Sequence, residues 1–164
     1  MKKELPKVTY KANNIFMQEA IIEARLGIHN NHGGPFGAVV VKDGKIVGKG
    51  HNCVLFNKDS TCHGEMEAIR DAEKNLNSYS LEGCVLYTTG EPCNMCLTAI
   101  LWANIDKVYY GCSIEENESI GFRDKKFDGL FGGREKLSSF LIEIDNEACI
   151  ELFKEYNKLN HTIY

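Results

Sequence analysis

The stretch Glu91-Pro92-Cys93-Asn94-Met95-Cys96, followed by helix-favouring residues at 97–103, decides how the rest of the chain reads. Proline suits the first position of a helix, where its missing N–H has no intrahelical partner. The pattern therefore puts Pro92 at a helix start and both sulfurs in the first turn. Unpaired backbone N–H groups and the positive end of the helix dipole favour thiolate there, and thiolate is the form that binds metal. Working outward, a third ligand stands upstream in Cys62-His63-Gly64-Glu65-Met66-Glu67-Ala68, where His63 opens a second helical run. One His and two Cys make the ligand set of a catalytic zinc site, with a fourth position left for water. Glu65 is not needed as a ligand, and a carboxylate so near the ion is placed to carry protons.

Two plainer readings compete. A structural zinc with Cys62 as fourth ligand gives Glu65 no task, and a thioredoxin-like Cys-x-x-Cys leaves both His63 and Glu65 unexplained. Cys53, Cys84, Cys112 and Cys149 read as small buried hydrophobes. His29, His32 and His51 read as loop or surface residues, and Trp102 as core.

The chain has 164 residues, 43% hydrophobic and 26% charged, which suits a soluble globular domain. With 19 basic against 23 acidic residues and a net charge of -4, it carries no basic track for nucleic acid. Seven cysteines, an odd number spread through regular segments, point to a reducing cytoplasm rather than a secreted disulfide framework. No apolar run is long enough to span a membrane.

Apolar spacing predicts a first helix over 13–30. Strands follow at 36–42 and 45–50, joined by the turn pair Asp43-Gly44. A loop is expected at 52–61, then the His63 helix to about 75 and a strand at 84–89. The Cys93 helix should run to 103, with a strand at 107–111, a fifth strand at 140–144 and a last helix at 146–159. Strands alternating with the two ligand-bearing helices imply parallel pairing through helical crossovers. The expected fold is α/β, a three-layer α/β/α sandwich with a mixed five-stranded sheet, as a single domain over 1–164.

Four motifs go further: Gly33-Gly34-Pro35-Phe36-Gly37-Ala38-Val39, Gly50-x-Asn52, His63-x-Glu65 and Pro92-Cys93-x-x-Cys96. The last two together form the zinc deaminase pattern. On these residues the chain resembles the cytidine-deaminase superfamily over nearly its full length, and within it the bacterial guanine deaminases. Gly121-Phe122-Arg123-Asp124 is similar to the Gly-Phe-Asp-Asp of that branch, and Tyr164 matches its terminal aromatic residue. The resemblance implies one zinc ion per chain, held by His63, Cys93 and Cys96, with Glu65 as catalytic proton carrier. It implies hydrolysis of a free purine base, guanine, to xanthine and ammonia. Asn52 is then expected at the base edge, Phe36 near the ring, the Gly64 N–H facing substrate, Asp124 choosing the purine and Tyr164 closing the pocket. A homodimer exchanging the segment from about 146 to 164 is also implied. Gly64 stands where the family usually has alanine, and Arg123 where the branch has an acidic residue. A tRNA adenosine deaminase, a deaminase of cytosine or a related heterocycle, and a non-catalytic zinc module are the rival functions.

Overall fold

Helix α1 (Ile15–His29) begins where the Asn14 side chain accepts hydrogen bonds from the N–H groups of Phe16 and Met17, at 2.9 and 3.0 Å. A cap of this kind is worth about 1 kcal/mol. Strands β1 (Gly37–Lys42) and β2 (Lys45–His51) form a hairpin whose turn residues Asp43 and Gly44 take φ of 49° and 72°. Primed turns of this hand match strand twist, and Asp-Gly tolerates them. The expected loop at 52–61 contains a short helix, α2 (Val54–Asn57), which has no apolar period to announce it. Instead the His32 carbonyl holds it by accepting from the N–H groups of Leu55 and Phe56. Next come α3 (Gly64–Leu76), β3 (Cys84–Gly90), α4 (Asn94–Trp102), β4 (Lys107–Cys112), α5 (Ile114–Ser119) and α6 (Asp124–Asp128).

The computed structural model describes Leu5, Lys7, residues 10–128, Asn146 and Ile150. The chain divides into two compact units, Met1–Phe127 and Asp128–Tyr164, and the sheet belongs to the first. Among the described residues the sheet has four strands in the order β2-β1-β3-β4. The fifth strand expected at 140–144 and Tyr164 lie outside the described residues. Of the expected last helix only Asn146 and Ile150 are described, both helical.

The sheet is mixed. β1 is antiparallel to β2 and β3, while β3 and β4 are parallel and joined by α4. β2 and β3 therefore run the same way, although β1 separates them, and α3 crosses between them. Side chains alternate across the faces. A Cβ on Gly37 would strike the backbone of Ala20 and Ala24 in α1, and one on Gly48 would strike Ala68 and Ala72 in α3. Helices thus pack on both faces, in three layers. Ala38, Val40 and Leu86 meet Ala68, Ile69 and Ile100 in the core between the sheet and the α3/α4 layer. Cys84 is fully buried, as expected, whereas Cys53 is half-buried and Cys112 exposed. Trp102, expected in the core, is 66% exposed on α4. Helical period alone placed it, and the buried stripe of α4 runs instead through Cys96 and Ile100.

Candidate zinc centre and active-site pocket

Both ligand-bearing helices start at the same edge of the sheet, because α3 follows the C-terminal end of β2 and α4 that of the parallel β3. His63 is the residue that caps α3 and Cys93 the one that caps α4, both with extended backbone. Pro92 therefore sits one residue outside the helix rather than at its first position. This leaves Cys93 free of helical dihedrals, with its sulfur directed across to α3, while Cys96 lies in the first turn.

The Nδ1 atom of His63 lies 3.6 Å from the sulfur of Cys93 and 3.6 Å from that of Cys96. Zinc–nitrogen bonds of about 2.0–2.1 Å and zinc–sulfur bonds of about 2.3 Å at tetrahedral angles require N···S edges of about 3.6 Å. The donor set fits a zinc ion in both chemistry and spacing. Cys62 does not join it. That buried thiol accepts from Asn57 Nδ2 at 3.4 Å and Arg70 Nη1 at 3.8 Å instead, against a four-ligand structural site.

Electrostatics around the triad are strongly perturbed. The Cys96 thiol donates to Cys93, and with the His63 hydrogen bond this draws the Cys93 thiol down to about 4. The same Cys93–Cys96 bond, added to burial, pushes Cys96 well up. The bond to Cys93 raises the His63 imidazole against the opposing effect of burial, with smaller contributions from Glu65 and Asp124. Glu65, 5% exposed on the first turn of α3, is pushed by burial up to about 7. Its own backbone N–H donates to it and, with the neighbouring His63, partly opposes that rise. A buried carboxyl titrating near neutrality beside a metal triad is what proton transfer calls for.

The triad opens into a cavity of about 790 Å³. His63, Cys93, Glu65, Asn52, Phe36 and Asp124 all line it, so six residues singled out from sequence meet in one place. Asn52 is 4% exposed, and its Oδ1 accepts from the N–H groups of Gly34 at 3.3 Å and Val54 at 3.2 Å. That bonding orients its amide. The Phe36 ring meets Phe122 edge-on at 4.6 Å. The Arg123 guanidinium lies over the Phe127 ring at 5.5 Å. Gly64 is buried but does not line the cavity. A Cβ there would come within 2.8 Å of the Phe36 carbonyl oxygen, so this chain brings β1 closer to α3 than alanine permits.

The sequence profile of the cytidine and deoxycytidylate deaminase zinc-binding region matches residues 11–112. This chain is a member of that deaminase family. Guanine deaminase from Bacillus subtilis is 46% identical over 109 residues, 66% of this chain and 70% of that one. Its crystal structure superposes with a TM-score of 0.85 at 34% identity, covering 94% of this chain and 99% of the other. A tRNA-specific adenosine deaminase from Aquifex aeolicus is 44% identical over 151 residues, 85% of this chain and 93% of that one. As a family member, the protein is a zinc-dependent deaminase. No helix among its described residues is long and apolar enough to cross a membrane.

Sequence reasoning passed over Phe122 as a separate wall of the cavity, and Asn117 and Glu91 beside it. Asn117 is 2% exposed and donates to the Glu91 carbonyl at 3.5 Å, and the Glu91 carboxylate accepts from the Ile114 N–H at 3.0 Å. Local signals existed for Glu91, next to Pro92, and for Phe122, inside the motif Gly121-Phe122-Arg123-Asp124, but none for Asn117.

Proposed function

We propose that the protein hydrolyses guanine, as the free base, to xanthine and ammonia. His63, Cys93 and Cys96 hold the zinc ion, one in this centre of each chain. The chemistry zinc supplies when bound is Lewis-acid activation of a water at its open position. Glu65 takes a proton from the incoming water and delivers it to a ring nitrogen next to C2, then protonates the departing 2-amino group. Water adds at C2, the C2–N bond breaks, and ammonia leaves behind a carbonyl. A carboxyl held near 7 exchanges protons in both directions at neutral pH.

The observation that carries the choice of base is Asp124, which lines the same cavity as Glu65 and lies near enough to His63 to raise its pKa. Guanine presents donors at N1 and its 2-amino group, which a carboxylate accepts, whereas the equivalent edge of adenine or cytosine presents a ring acceptor. Asn52, with Oδ1 committed to backbone donors, offers its Nδ2 to an acceptor on the purine edge. Phe36 and Phe122 supply an apolar wall for the ring. The superposition on the Bacillus subtilis guanine deaminase supports this reading. The C-terminal segment from about 146 to 164, with Tyr164 last, closes the pocket of a partner copy in a homodimer.

The identity to the Aquifex aeolicus tRNA-specific adenosine deaminase supports a second reading, adenosine within tRNA. The test is ammonia release from guanine, adenine, cytosine and an anticodon stem-loop, with solution mass measured in parallel. Release from guanine by a dimer is expected. Release from the stem-loop alone establishes the rival, and release from none of the four overturns the guanine reading.

A further inference from the structure

Among the described residues a second group of soft donors comes together outside the deaminase triad. One ligand atom from each of His32, His51 and Cys53 lies within 4.8 Å of the other two. We propose that these three residues form a second metal-ion site, for a divalent cation of the zinc type.

The frame around them is built by backbone bonds. The His32 N–H donates to Gly27 O at 2.9 Å, and its carbonyl carries the start of α2. The Cys53 N–H donates to Cys62 O at 2.9 Å, and its carbonyl accepts from the Asn57 N–H at 2.9 Å. His51 ends β2, and its ring rests on α1 where Gly27 has no side chain: a Cβ there would lie 2.8 Å from His51 Cδ2. The His32 ring is flanked by Phe56, with centroids 4.5 Å apart.

The nitrogen chemistry also fits. Glu23 Oε2 lies 3.2 Å from His51 Nδ1. A carboxylate only accepts, so His51 donates through Nδ1 and its Nε2 carries the lone pair. A carboxylate behind an imidazole is the arrangement that orients metal-binding histidines. That Nε2 lies 2.9 Å from His32 Nδ1, so His32 donates its Nδ1 proton along this contact. A cation takes the place of that proton, His32 becoming the Nε2–H tautomer. Tetrahedral edges of about 3.3–3.6 Å fall between this separation and the outer limit of the cluster.

The site is distinct from the deaminase cavity. Asn52 lines that cavity, whereas His51 and Cys53 on either side of it line another of about 390 Å³, together with Glu23 and Glu67. Lys49 and Arg70, which also border it, are paired with Glu19 and Glu67. The smaller cavity reaches two of the three donors, His51 and Cys53. One sulfur instead of two makes this the weaker centre, which a mild chelator empties first.

The experiment is a Zn²⁺ titration of metal-free full-length protein against a chromophoric chelator. Wild type should bind two ions per chain. His32→Gln and Cys53→Ser should each bind one, and so should a Cys93→Ala, Cys96→Ala double variant. Co²⁺ loaded into that double variant should show a thiolate charge-transfer band that Cys53→Ser removes. Saturation of folded wild type at one ion overturns the proposal, as does two-ion binding by both His32→Gln and Cys53→Ser. Thermal unfolding in the metal-free state, matched to wild type, verifies the fold of each variant.

Discussion

The two His/Cys clusters of this molecule are chemically related and structurally opposite. His63, Cys93 and Cys96 stand on helix starts that parallel strands bring to one sheet edge, with metal-matched spacings of 3.6 Å. Two short motifs announce them. His32, His51 and Cys53 come from a loop, a strand end and the residue before a short helix, with their imidazoles in a 2.9 Å hydrogen bond. Only the first cluster has a buried carboxylate and a large cavity in front of it. Donor atoms hold an ion, but chemistry also needs a proton carrier and room for substrate.

Glu65→Gln is the most severe test of that contrast. It should lower kcat about 10³-fold, the scale of general acid–base catalysis, while metal analysis finds the zinc of the first cluster retained. A loss of zinc equal to the loss of activity would make Glu65 a ligand and erase the distinction. The same variant carries a stability signature. Burial raises this carboxyl from an ordinary 4.5 to about 7, so ionising it costs folding free energy. That cost is absent below 4.5 and grows as pH rises toward 7. Above neutral pH the metal-free Glu65→Gln protein should therefore melt at a higher temperature than wild type.

Asp124→Ala should lower kcat/KM for guanine by roughly 10- to 100-fold, the worth of about 1.5–3 kcal/mol for hydrogen bonds to a charged group. Zinc content should stay unchanged, and normal guanine turnover would remove Asp124 from base recognition. In wild type, kcat/KM should fall about tenfold per unit of pH below about 7, because the base acts only when ionised. A flat profile from 5 to 7 in a pH-rate series would contradict this assignment of the base.

Gly64→Ala separates the seat of the first cluster from its donors. The added methyl meets the Phe36 carbonyl oxygen, a backbone atom that cannot turn aside. A cost of about 1–3 kcal/mol from overpacking outweighs the helix gain of about 1 kcal/mol, so denaturant melts should show a net loss. Gly27→Ala is the counterpart at the second cluster and the smallest effect. Its methyl meets the His51 ring, which can move, so helix propensity and displacement nearly cancel in stability. The second metal equivalent should be lost while guanine turnover is kept.

By itself the sequence determined whatever depends on neighbours along the chain. Apolar spacing marked α1, Asp43-Gly44 turned the hairpin, and apolar runs marked β1 and β3. His63-x-Glu65 and Cys93-x-x-Cys96 named the metal donors because a helix start fixes where such side chains lie. The tertiary structure decided what depends on distant segments meeting. It set the order β2-β1-β3-β4 and exposed Trp102. It put Pro92 outside α4, drew the Gly64 backbone against Phe36, and joined His32 to His51 and Cys53. None of these has a local signature. Each results from which faces pack together, a balance summed over many residues and invisible in any short window of the chain.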